Sequence, residues 1–131
     1  LMGIDLSEKM IEKAEKKLPT AALIRGDVHQ LPFKDDFFEY VVSTEAFHHY
    51  SDQKKALREM TRVCKGKVII VDINFFLRPI HWLFEKLEPG CVKVNNRKEM
   101  KRLFEEAGLK EIKQKRTFVF AVMTTGTPQK S

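Results

Sequence analysis

No apolar run in this 131-residue chain approaches the roughly 20 residues that a membrane-crossing helix needs. The longest, VIIVDINFFL (68–77), is broken by Asp72. A helical membrane span is therefore excluded. No signal peptide is expected, because an acidic helix follows the first apolar residues at once. Cysteine is scarce. Cys64 and Cys91 lie far apart and match no metal-ligand spacing, so they read as reduced thiols of a cytoplasmic protein. There is no GxSxG motif, and neither cysteine has a histidine nearby in sequence, which removes the familiar nucleophile–base sets. Internal repeats, low-complexity segments and interdomain linkers are also missing.

What is present fits one globular domain. Hydrophobic residues make up 43% and charged residues 32%, a balance suited to a packed core rather than a disordered chain. The net charge of +6 is local: residues 1–92 hold 14 basic and 14 acidic side chains, whereas residues 93–116 hold 9 basic and 4 acidic. A basic region can attract nucleic acid, anionic lipid or an acidic substrate. With no aromatic interleaving and no nucleic-acid motif, it reads here as a solvated helix face and a lysine-protected edge strand.

Periodicity divides the chain into alternating elements. LMGID (1–5) reads as the end of a buried strand. Ser7 can cap a helix with Met10, Ile11, Ala14 and Leu18 as its apolar stripe, stopped by Pro19. AALIRGD (21–27) is a second strand, LPFKDDF (31–37) a loop and FFEYVVST (37–44) a third strand. Asp52 can cap a helix over 53–64 that turns Ala56, Leu57, Met60 and Val63 inward and ends at Gly66. KVIIVDI (67–73) is a fourth strand, apolar on both faces as in a covered parallel sheet. Short helices follow at 78–88 and, with Asn95 or Asn96 as cap and Gly108 as stop, at 96–108. Residues 109–125 read as two antiparallel strands, and GTPQKS (126–131) as a frayed polar tail.

The alternation predicts an α/β protein: a mostly parallel open sheet with helices on both faces and a C-terminal antiparallel hairpin. Ligands of such sheets sit beyond the carboxyl ends of the strands. Those ends carry Asp5, Leu6 and Ser7; Asp27, Val28 and His29; Thr44, Glu45, Phe47, His48 and His49; and Asp72, Ile73 and Asn74. Asp5 can accept two ribose hydroxyls, or simply complement a helix N-terminus. Asp27 can accept from an exocyclic amine, or bond its own turn backbone. His48 and His49 are candidate general bases, or loop-bonding groups. Adjacent histidines do not form the i, i+4 pair that a metal needs, so no metal site is expected. His29 and His81 are lone histidines.

GIDLSEKMIEKAEKK, GDVHQLPFKDDFFEYVVSTEAFHHY, ALREMTRVCKGKVIIVD and EMKRLFEEAGLKEI together resemble class I S-adenosylmethionine-dependent methyltransferases, of the small-molecule type found in ubiquinone and menaquinone biosynthesis. The resemblance covers about residues 1–125 as a partial domain, with 126–131 as the tail, and implies a Rossmann-like fold. It implies S-adenosyl-L-methionine as cofactor, with Asp5 on the ribose, Leu6 and Ser7 flanking the adenosine, Asp27 on the adenine amine, Val28 against its ring, and Thr44 and Glu45 beside it. Phe47, His48 and His49 would face the sulfonium and a small-molecule acceptor, with the histidines as catalytic groups. Residues 75–87 fall where the family carries a variable substrate lid, so Phe75 and Trp82 would meet an apolar or aromatic acceptor.

The departures are as informative. The family's first strand and its glycine-rich loop have no counterpart. That strand lies between 1–5 and 37–44 in the family's sheet, so a gap with two unpaired inner edges is expected. RVCKGK also lacks the usual proline–glycine turn after its helix. Three readings stay open: part of a longer methyltransferase, which a first residue other than methionine favours; a truncated, non-catalytic interaction domain; or a homodimer sealing the gap with swapped elements.

Overall fold

The computed structural model describes residues 1–44, 46–74, 78–118 and 120–130. In chain order the elements are β1 (Met2–Asp5), α1 (Glu8–Lys17), β2 (Ala22–Arg25), β3 (Phe38–Thr44), a 3-10 turn (Phe47–His49), α2 (Gln53–Val63), β4 (Cys64–Ile73), α3 (Arg78–Leu87), α4 (Arg97–Glu106), β5 (Leu109–Phe118) and β6 (Ala121–Pro128). The strands form two sheets. β1 and β2 make a parallel pair, with Met2 opposite Ala22 and Asp5 opposite Arg25. The other four run in the order β3-β4-β6-β5, with β3 and β4 parallel and β6 antiparallel to both neighbours. Among the described residues β1 pairs only with β2, and β3 only with β4. The gap expected from the sequence therefore falls between them.

The core belongs to the four-stranded sheet. α2 contributes Leu57 and Met60, β4 Cys64, Val68 and Ile70, and α4 Met100 and Phe104, closed by Phe47 and Leu109. Ala56, Leu57, Met60 and Val63 are all buried, as their helical spacing requires. Each large side chain taken from water stabilises the fold by about 1.5–3 kcal/mol. The caps also follow the sequence. The Asp52 carboxylate accepts the Lys55 N–H at 3.0 Å, and of the two candidate asparagines Asn96 is the cap, accepting the Glu99 N–H at 2.8 Å. Asn95 instead donates to Gln53 Oε1 at 2.8 Å. Gly108 ends α4 with φ +84°.

Four expectations need correction. First, the α1 stripe is not buried: no residue of α1 is. Its sheet has two strands of four residues, too little surface to cover a helix face. Second, and for the same reason, β1 is only half-buried. Third, Gly66 does not end α2. Val63 passes straight into β4 at Cys64, and Gly66 sits in a bulge between the pairs Phe38–Cys64 and Tyr40–Lys67. A Cβ there would collide with the Glu39 carbonyl, so the glycine serves the close strand approach. Fourth, the polar tail is not frayed at 126: β6 continues to Pro128, Gln129 N–H donates to the Gly108 carbonyl at 2.9 Å, and Lys130 Nζ pairs with Asp36 at 2.9 Å.

Candidate active site

The gap between the sheets is a cavity of about 720 Å³. That is within the usual range for small-molecule sites. Ile4, Asp5 and Leu6 wall one side, Val41, Ser43 and Tyr50 the other, with Met60 and Val63 of α2 also reaching it. Its walls are mostly apolar because side chains such as Ile4, Leu6, Val41, Met60 and Val63 line them.

Asp5 lies where its strand-end position puts it, on the cavity wall. One carboxylate oxygen accepts the Ser7 N–H at 2.7 Å, and among the described residues the other has no hydrogen-bond partner. Leu6 and Val28 line the cavity too. Ser7 does not. Its hydroxyl accepts the Met10 N–H at 3.4 Å as the α1 cap.

Asp27 follows its turn reading. Its Oδ1 accepts both the His29 N–H at 2.9 Å and His29 Nδ1 at 2.6 Å, and the backbone bond above all holds the carboxyl below its ordinary range. His29 Nε2 accepts the Asp52 N–H at 3.1 Å, so the ring proton must be on Nδ1, toward Asp27. Gly26, Val28 and His29 face the cavity and Asp27 does not.

The histidine pair divides. His48 is buried and turned away from the cavity, sharing a 2.6 Å hydrogen bond through Nδ1 with the equally buried Asp72. Burial pushes the Asp72 carboxyl up, and the bond to His48 pulls it back. His49 is exposed and lines the cavity. Its Nδ1 lies 2.8 Å from the Gly90 carbonyl. A carbonyl only accepts, so Nδ1 carries the proton and Nε2 is the basic nitrogen. Gly90 holds this geometry with φ +76°, a conformation that favours glycine.

Three other sequence expectations fail. Phe47 does not face an acceptor; it is fully buried in the core, edge-on to Tyr50 at 5.4 Å. Trp82 is 58% exposed and off the cavity, with Lys86 Nζ 4.4 Å above its ring. Thr44 is exposed and off the cavity, whereas its neighbour Ser43 lines it. Glu45 and Phe75 lie outside the described residues.

The structure adds groups the sequence reading gave no role. Ser43 Oγ and Tyr50 Oη hydrogen-bond at 3.0 Å in the cavity. Burial pushes the Tyr50 phenol above its ordinary value, with Asp72 and Asp5 acting in the same direction and Ser43 against. Arg62 ties the 31–36 loop down. It donates to the Phe33 and Leu31 carbonyls at 2.8 and 3.0 Å, to Asp35 at 2.9 Å and to Glu59 at 2.8 Å, while Glu59 accepts the Leu31 N–H at 2.7 Å. Spacing of three on α2 signals the Glu59–Arg62 pair, but nothing local signals its reach to residues 31–35. No cluster of three or more metal-ligating side chains occurs among the described residues.

Residues 1–71 match the family described as the methyltransferase domain. The chain belongs to that family. The methyl donor this membership implies is S-adenosylmethionine. The chain is 40% identical over 75 residues to the demethylmenaquinone methyltransferase of Thermotoga maritima, covering 56% of this chain and 33% of that protein. It is 32% identical over 134 aligned positions to the enzyme of the same name from Staphylococcus aureus, covering 81% of this chain and 56% of that protein. The methyltransferase-family chain thus spans a third to just over half of these relatives. Among solved structures, the YcgJ protein of Bacillus subtilis superposes with TM-score 0.81 at 19% identity, covering 99% of this chain and 82% of that one. A Thermotoga maritima SAM-dependent methyltransferase, described as a possible histamine N-methyltransferase, superposes with TM-score 0.80 at 21% identity, covering 98% and 72%. At those identities the match speaks to the fold, which is Rossmann-like.

Proposed function

We propose that residues 1–125 form a methyl-transfer domain that holds S-adenosylmethionine beyond the carboxyl ends of β1 and β3 and presents a small acceptor to it, with His49 as general base. The observation that carries this is the pairing of an acceptor, Asp5, with a tautomer-fixed histidine on one cavity wall system. The residues present fit the adenosine end of the cofactor: a carboxylate oxygen of Asp5 with no hydrogen-bond partner among the described residues, open to ribose hydroxyls, and the apolar Leu6 and Val28 on the same cavity. When bound, the cofactor supplies an electrophilic methyl on a positively charged sulfur.

The chain's residues do the rest. Asp5 and the apolar walls orient the bound groups. Nε2 of His49 takes the acceptor's proton, while the Gly90 carbonyl keeps the other ring nitrogen protonated. His48 and Asp72 sit behind it, the two histidine rings 4.0 Å apart, as a buried polar support. That the relatives are demethylmenaquinone methyltransferases favours a quinol-type ring as acceptor. The cavity's apolar lining suits such a ring.

Titration calorimetry with S-adenosylmethionine, followed by methylation of a soluble naphthoquinol, tests the reading. Asp5→Asn should weaken cofactor binding about tenfold or more. His49→Gln should lower turnover about 10²–10⁴-fold with cofactor affinity unchanged. Equal turnover in His49→Gln would remove His49 from the reaction. A second reading draws on Tyr40 and Val42, both exposed on the edge of β3 that pairs with no strand among the described residues: an interaction domain that accepts a strand from a second copy. Light scattering of the isolated chain separates the two.

A further inference from the structure

Helix α3 is amphipathic in the inverted sense. Ile80, Leu83 and Leu87, at i, i+3 and i+7, form one stripe, and that stripe faces solvent, with Leu87 70% exposed. Trp82 flanks it. The protein side of the helix carries Phe84, which meets the His48 ring edge-on at 6.1 Å, and Glu85, whose carboxylate accepts the Val94 N–H at 2.8 Å. The helix's single acidic side chain is thus turned inward. Its Lys86 stays outward over the Trp82 ring.

An apolar stripe left in water is unfavourable by the same area rule that drives the core together, so this face is shaped for a second phase. Ten residues rise about 15 Å, too short to cross a bilayer but suited to lie in its interface. Tryptophan and a lysine stem are the side chains that suit that boundary. The chain's net charge of +6 favours anionic headgroups. The following chain, residues 93–116, holds 9 basic against 4 acidic side chains, and Arg97, Lys98, Lys101 and Arg102 of α4 are exposed. A second copy is a poorer occupant, because it would bring two chains of net charge +6 together.

We propose that the outer face of α3 docks on an anionic bilayer surface, with Trp82, Leu83 and Leu87 below the headgroups and Lys86 among the phosphates. The proposal is independent of methyl transfer.

The chain has one tryptophan, so Trp82 emission reports on this helix alone. Vesicles of equimolar phosphatidylcholine and phosphatidylglycerol should shift the emission to the blue and co-sediment the protein. High salt should reverse both, and pure phosphatidylcholine should do neither. The double variant Leu83→Glu/Leu87→Glu changes two exposed positions and should keep its far-ultraviolet dichroism while partitioning at least about tenfold more weakly. Unchanged emission with anionic vesicles overturns the proposal, as does binding that survives the double variant or is equal on pure phosphatidylcholine. A blue shift that grows with protein concentration in the absence of lipid also overturns it, assigning the face to a second copy.

Discussion

α1 and α2 carry the same amphipathic signature and meet different fates. α2 buries Leu57 completely against β4 and α4, whereas Met10 of α1 remains 50% exposed beside β1 and β2. Both helices are well patterned and both are capped by an acceptor side chain. The difference is what lies opposite: a four-stranded sheet or a two-stranded one. An apolar stripe is an offer of contact, and the sheet decides whether the offer is met. The same contrast places the cavity, which opens where the smaller sheet fails to pair with the larger.

The most forceful way to break this comparison is to truncate equivalent stripe positions. Leu57→Ala should cost about 2–5 kcal/mol in denaturant unfolding, while Ile11→Ala should cost less than about 1 kcal/mol. Equal costs would mean that the β1–α1–β2 lobe is as well packed as the core block. Next, Arg62→Met tests the tie between the 31–36 loop and α2. It strands the Leu31 and Phe33 carbonyls and should cost about 1–3 kcal/mol by the same measurement. The caps give a finer contrast. Asp52→Ala should cost about 1 kcal/mol, and Ser7→Ala only a few tenths, because the Ser7 bond is longer and no residue of its helix is buried.

Acid titration gives the smallest effect and one whose sign is diagnostic. Glu59 and Asp27 are held below their ordinary values of 4.5 and 3.8, by the Arg62 and His29 bonds first. Their contribution is complete above those values and is lost as pH falls through the lowered folded ones. Asp72 works oppositely: its raised folded value favours the fold at low pH and loses that contribution as pH rises through it. Thermal unfolding from pH 6 to pH 3 should therefore show a fall that Glu59→Gln flattens and Asp72→Asn steepens.

Local signals were legible to the degree that they were local. Asp52 and Gly108 mark α2 and α4 as their chemistry requires, and Ala56, Leu57, Met60 and Val63 announce a buried face. Asp5 was readable because a strand end needs no distant partner to point at the cavity. Phe47 was not: an aromatic beside two histidines looks like a site residue until the 3-10 turn rotates it into the core. Gly66 misled because a glycine after a helix usually ends it, and only the approach of β3 shows its other use. The His48–Asp72 contact joins residues 24 apart, beyond any periodicity.

The sequence alone determined the alternation of strands and helices, the caps, the composition of the core helix and the methyltransferase-like strand ends, since each depends on side-chain chemistry and short-range spacing. Tertiary structure alone decided which of two adjacent histidines opens to the cavity, which amphipathic helix is covered, and that α3 turns its apolar stripe outward. Those outcomes depend on what surface stands opposite, and opposite surfaces come from segments far apart in the chain.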